Sequence, residues 1–157
     1  MLVKDLMEPV TDNWLSPELS LHEAVCKMEA TRWFGGGTTN GMLVLEREFK
    51  LVGVLSIKDI IRTAIPSYLE TNLRGFAWDG MLEEHVRKAC PIKVAEVMSR
   101  NLITIRPDDS LMRCADLFID HSLQRLPVVD AAGRVLGMIH ILNLYKHIAS
   151  LMCTVEK

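Results

Sequence analysis

Gly53-Val54-Leu55-Ser56-Ile57-Lys58-Asp59-Ile60 is the stretch on which the reading of this chain turns. It predicts the end of an apolar strand, Leu51 to Leu55, running into a helix capped at Ser56. Asp59 falls three residues after Ser56, so the pair makes a capping box with Asp in place of Glu. A helix start also offers free backbone N–H groups and the positive end of a dipole, which suits a phosphate. A carboxylate beside it can accept hydrogen bonds from ribose hydroxyls. Residue types alone favour plain capping over ligand binding; the surrounding sequence shifts that balance.

Moving outward, Met42 to Glu46 reads as a strand, turned at Arg47 to Lys50 into Leu51 to Leu55. The helix from Ser56 to Ala64 stops near Pro66. Upstream, Ser20 begins a helix whose Leu21, Ala24, Val25 and Met28 share one apolar face. Asn13 to Ser16 is short and extended, and residues 3–7 make a turn or short helix before Pro9. The glycine loop over 32–41 lacks the Gly-Lys-Ser/Thr of a phosphate loop.

The same order then recurs. Val94 to Met98 echoes Val3 to Met7, and Ile105 to Leu111 echoes Leu15 to Leu21. The helix from Ser110 to Asp120 echoes the one from Ser20. Leu126-Pro-Val-Val-Asp130 echoes Met42 to Glu46, and Gly137 to Asn143 echoes Gly53 to Asp59. The offset is 90 at Leu21/Leu111 and 84 at Gly53/Gly137, so the first copy carries six more residues, in the glycine loop. Two copies of a strand–helix–strand–strand–helix unit are therefore expected, at 1–64 and 94–152, in an α/β (α+β) fold. Each would bury an apolar sheet face too small to stand alone by packing it on the other. The 65–93 connector carries Leu69, Leu73, Phe76, Trp78, Met81, Leu82 and Val86, too apolar for a flexible tether. Residues 79–89 read as a helix stopped before Pro91.

Composition narrows the function. Hydrophobic residues are 49% of the chain and the net charge is −2, with 18 basic and 20 acidic residues and no long run of one sign. Charge thus makes no case for nucleic acid or an anionic membrane. No apolar run reaches the ~18 residues of a membrane span, and the start lacks a signal-peptide pattern. Cys26, Cys90, Cys114 and Cys153 are scattered without a C-x-x-C, as expected of reduced thiols in a cytoplasmic protein. Cys26 and Cys114 are expected on apolar helix faces, as inert thiols. The five histidines form no metal-binding spacing. No nucleophile with a paired base and no carboxylate pair stands out, so catalysis is not expected.

Leu126-Pro-Val-Val-Asp130, the Gly-x-x-Ser/Thr-x-x-Asp pattern at Gly53 to Asp59, and the Pro17 and Pro107 turns together resemble a tandem pair of cystathionine-β-synthase-type (CBS) domains. The resemblance covers nearly all of the chain except the connector. It implies two repeats packed through their sheets with pseudo-two-fold symmetry and two clefts between them. It also implies a homodimer that regulates a protein target not named by the sequence. No cofactor is required; the implied regulatory ligand is an adenine nucleotide (AMP, ADP or ATP), with S-adenosylmethionine as an alternative. Ser56 and Asp59 match the phosphate and ribose positions. Ile103 and Leu123 are implied at the base, and Arg125 at the phosphates, where a bidentate contact suits it. The second copy departs from the pattern: His140 replaces Ser56 and Asn143 replaces Asp59, while Asn13 aligns with Ile103. One competent cleft and one weaker or empty one are expected. The competing expectation is a protein-interaction scaffold with vestigial clefts.

Overall fold

The structure is a computed structural model that describes residues 1–31, 41–65 and 80–155. Residues 32–40 of the glycine loop, and Leu69, Leu73, Phe76 and Trp78 of the connector, lie outside these residues. The described residues form the predicted elements, with one unpredicted strand, Glu8–Pro9, added and the first strand of the second repeat all but missing. These are α1 (Val3–Leu6), β1 (Glu8–Pro9), β2 (Trp14–Leu15), α2 (Leu21–Ala30), β3 (Gly41–Leu45), β4 (Leu51–Ser56) and α3 (Ile57–Ala64). After the connector come α4 (Met81–Ala89), α5 (Val94–Val97), α6 (Leu111–Asp120), β5 (Arg125–Val129), β6 (Val135–His140) and α7 (Ile141–Val155). Local chemistry sets the helix starts. Ser20, Ser56 and Ser110 each cap a helix, their side chains accepting from Glu23, Asp59 and Arg113 N–H respectively.

The chain divides into two compact units. The unit carrying most of the first repeat comprises Asn13–Arg47 and Leu51–Leu102. Its sheet runs β2-β3-β4, with β2 parallel to β3 and β3 antiparallel to β4. Leu15, Leu21, Ala24, Met28, Met42, Val44 and Leu55 fill the core from β2, α2, β3 and β4. Ala89 of α4 and Val94 and Met98 from the start of the second repeat complete it. Here α5 docks on the turn before α2, with Val94 N–H donating to Leu19 O at 2.9 Å and Ala95 N–H to Pro17 O at 3.0 Å. Ser99 then bridges Val54 of β4, antiparallel.

The other unit comprises Met1–Asp12, Glu48–Lys50 and Ile103–Lys157. Its sheet runs β1-β6-β5, and here the added strand comes from the chain's opening segment. Val3 of α1 is wholly buried among Ile105, Cys114, Phe118, Leu126, Val128, Ile139 and Leu144. Its backbone N–H donates to Asp109 O at 3.0 Å, and Lys4 N–H donates to Pro107 O at 3.0 Å. The two units thus use the same plan. In each, the short opening helix lies in the core made by the other repeat.

Small residues permit the last step of that plan. A Cβ on Gly137 would overlap the Glu8 carbonyl oxygen, and one on Gly53 would lie 2.5 Å from Met98 Sδ. One expected strand is nearly absent: the first strand of the second repeat reduces to a single parallel bridge, Ile105 to Val128. Ile103 sits before it in irregular chain, half-buried against the core together with Leu123.

Candidate strand-to-helix sites

Ser56 ends β4 in extended geometry and caps α3. Its Oγ accepts the Asp59 backbone N–H at 3.2 Å. In return, the Ser56 N–H and the Ser56 hydroxyl both donate to Asp59 Oδ2, each at 2.9 Å. The carboxylate is buried, its side chain only 10% exposed. Oδ2 is therefore saturated by the cap, whereas Oδ1 receives one donor among the described residues, Arg62 Nη1 at 3.3 Å. A buried carboxylate held this way is a fixed acceptor whose second oxygen faces, among the described residues, a single donor on a solvent-exposed side chain. Gly41 pairs with Ser56 across the sheet, and a Cβ there would lie 2.9 Å from Leu55 O. The strand end beside Ser56 is accordingly kept bare of side chain.

The corresponding turn of the second repeat is built differently. Asn143 Oδ1 accepts the His140 N–H at 2.8 Å, so Asn143 performs the backbone half of the box without a charge. Arg125 occupies the strand position that matches Gly41 and pairs with His140 across the sheet. Glu8, delivered by the opening segment, brings Oε2 to 3.2 Å from His140 Nε2. Burial pushes the His140 pKa down; Glu8 opposes that shift and the Arg125 charge adds to it. Burial also lowers the Arg125 guanidinium from its ordinary value. This turn therefore gathers a cation, an imidazole and a carboxylate where the first repeat has a bare glycine, a serine and an aspartate.

Of the residues singled out in the sequence, Ser56 and Asp59 are brought together in one unit. Arg125, His140 and Asn143 meet in the other, where Ile103 and Leu123 pack against the core. Asn13 is exposed just ahead of β2. Asn40 lies outside the described residues. Two participants escaped the sequence reading. Arg62 was findable, since it follows Asp59 by three residues on one helix. Glu8 was not, because no spacing links it to His140. Cys26 corrects an expectation: it is exposed on α2, with Sγ 3.9 Å from His22 Nε2, and does not lie on the apolar face. Ala24 and Met28, each two residues from Cys26 and so about 160° around the helix, fill that face. Cys114 is buried as expected, and burial pushes its thiol up to about 11. Among the described residues no group of three or more His, Cys, Asp or Glu could hold a metal ion. No described helix is long and apolar enough to cross a membrane.

Known proteins share this plan. The CBS-domain family model matches residues 3–65 and 94–150. Protein MJ1426 of Methanocaldococcus jannaschii is 28% identical over 152 residues, spanning 88% of this chain and 86% of that protein. The next relatives are longer, and the chain spans 34% or less of each. CBSX2 of Arabidopsis thaliana in complex with AMP superposes with a TM-score of 0.69 at 22% identity, covering 96% of this chain and 98% of that one. The CBS pair of MJ0100, solved with 5′-methylthioadenosine and S-adenosylmethionine, gives 0.62 at 21% identity, covering 96% and 97%. With two matched regions that take in most of its length, each carrying the Pro turn, the strand pair and the glycine-led strand-to-helix turn, the chain belongs to the CBS-domain family as a tandem pair.

Proposed function

We propose that this chain is a regulatory, non-catalytic module that binds an adenosine-containing ligand at the Ser56–Asp59 turn. The observation that carries this reading is the state of the Asp59 carboxylate. Two Ser56 donors lock it in place, and its second oxygen is tied only to an exposed arginine among the described residues. A ribose hydroxyl can replace such a partner because the Arg62 side chain, 72% exposed, regains water as it leaves. Solved relatives of the same fold carry AMP in one case, and methylthioadenosine with S-adenosylmethionine in another. Within that class we favour an adenine nucleotide, AMP, ADP or ATP, because the exposed N–H groups of the α3 start suit a phosphate. We assign Ile103 and Leu123 to the base and Arg125 to the phosphates, and we place the module in the cytoplasm. The His140–Asn143 turn is the weaker site: Asn143 lacks charge, and Glu8 competes with any anion approaching His140.

Titration calorimetry with AMP, ADP, ATP and S-adenosylmethionine tests the reading. Saturable binding that Asp59→Ala abolishes supports it. No heat and no melting shift with any of the four, up to millimolar, leaves the scaffold reading in its place. Mass spectrometry of small molecules released from denatured purified protein identifies the ligand directly.

We also propose that the module works as a homodimer. On α7, Ile141, Tyr145, Ile148 and Met152 form an exposed apolar stripe at helical spacing. A monomer in sedimentation at micromolar concentration would overturn this.

A further inference from the structure

We infer that Arg62 is an internal competitor for the Asp59 site, a guanidinium that holds the ribose-binding oxygen until ligand displaces it. The inference rests on the reading of Asp59 given above and adds a residue that sets its affinity. Asp59 Oδ2 is consumed by the Ser56 N–H and hydroxyl, so a ligand hydroxyl can be received only at Oδ1. Arg62 Nη1 stands 3.3 Å from that oxygen. The contact is unequal. The Asp59 side chain is 10% exposed and fixed by its cap, whereas the Arg62 side chain is 72% exposed. Arg62 can therefore swing into solvent while Asp59 stays in place, the cost falling on the carboxylate that loses its cation. In the unliganded protein the pair neutralises a buried carboxylate that the cap alone leaves charged. On binding, a neutral sugar hydroxyl must replace a cation, so the site is weakened for any ligand that brings no compensating interaction.

An uncharged ligand isolates the effect. Adenosine carries no charge, so its affinity has no ionic component of its own. Added salt should screen the Arg62–Asp59 pair and tighten adenosine binding to the wild-type protein. Arg62→Gln should bind adenosine about two- to fivefold more tightly at low salt, a span kept small because the Arg62 side of the pair is 72% exposed, and should lose the salt response. Lys58→Gln removes one positive charge from the same helix without touching Asp59, and should leave adenosine affinity and its salt response as in the wild type. Equal affinities and equal salt responses for wild type and Arg62→Gln, with adenosine and AMP both bound, would overturn the role of Arg62 and leave the ligand reading intact. If the wild-type protein bound neither adenosine nor AMP, the reading of Asp59 would fall, and this inference with it. A melting profile of Arg62→Gln that matches wild type establishes that the variant is folded.

Discussion

Glu8 and His140, far apart in sequence, meet through Oε2 and Nε2 at 3.2 Å. The contact exists because β1 pairs with β6, placing the opening segment beside the last strand of the second repeat. It gives the protein an acid-sensitive point. His140 is depressed by burial, so the folded state holds it neutral below its ordinary pKa, where the unfolded chain already takes up a proton. Stability should therefore fall as the pH drops below about 6.5, and the slope should vanish once the folded-state pKa is passed. Glu8→Gln removes the partner that favours the charged ring and should steepen the loss. His140→Gln should flatten it. Melting temperatures between pH 5 and 8 report all three.

Ser56→Ala should destabilise the protein by about 1 kcal/mol for the lost cap. A further increment should come from the buried Asp59 carboxylate, which also loses the Ser56 hydroxyl. Ser20→Ala, whose box partner Glu23 is exposed, should cost less. Urea unfolding of the two variants ranks them; equal losses would mean that the Ser56 hydroxyl adds nothing beyond its cap.

Gly137→Ala should be worse than Gly53→Ala. The first places a methyl against the Glu8 backbone carbonyl, which cannot yield without breaking the β1–β6 pair. The second meets Met98 Sδ and Cγ, a flexible side chain, most closely, with the Ser99 backbone oxygen next at 3.0 Å. Overpacking of this kind costs about 1–3 kcal/mol, and the upper end is expected at position 137. Denaturant midpoints decide the order.

Glu48 and Phe49 both adopt left-handed backbone, at φ 60° and 62°, in the turn joining β3 to β4. Such turns suit Asn-Gly, and a non-glycine residue there is strained by about 1–2 kcal/mol. Replacing the pair, Glu48→Asn with Phe49→Gly, should raise stability by about 1 kcal/mol, net of the lost Phe49 contacts and the greater freedom of glycine when unfolded. A lowered melting temperature would show that Phe49 contributes more to the open pocket it shares with Asp130, Arg134, Val135 and Leu136 than the strain removes.

A thiol reagent applied to the native protein should modify Cys26 and Cys153, which are exposed, and spare Cys114. With its thiol pushed up to about 11, Cys114 carries almost no thiolate at neutral pH. Its labelling should appear only with denaturant, which makes it a probe of unfolding. Peptide mapping after timed alkylation checks this.

Much of this architecture was legible before any coordinates. The serines at 20, 56 and 110 announce helix starts because a hydroxyl at that point satisfies a backbone donor. The twofold recurrence of Pro turn, strand pair and glycine-led turn announces two units. What could not be read was the partnership. Apolar periodicity at Val3 or Val94 says that a face is buried, not which repeat buries it. The pairing of Val3 with Asp109 and of Val94 with Leu19 is settled only in three dimensions. The same limit hid Glu8 from His140. Ile103 falls where the repeat unit places its first strand, yet only Ile105 makes a bridge there, to Val128.

The crossed placement of α1 and α5 bears on how such a chain can come apart or arise. A protein made of a single repeat would lack the piece that fills its own centre, and could mature only by trading that piece with another molecule. Joining two repeats head to tail turns that bimolecular encounter into an intramolecular one, independent of concentration. Cleaving the connector would return the halves to mutual dependence, each lacking part of its core until it finds the other.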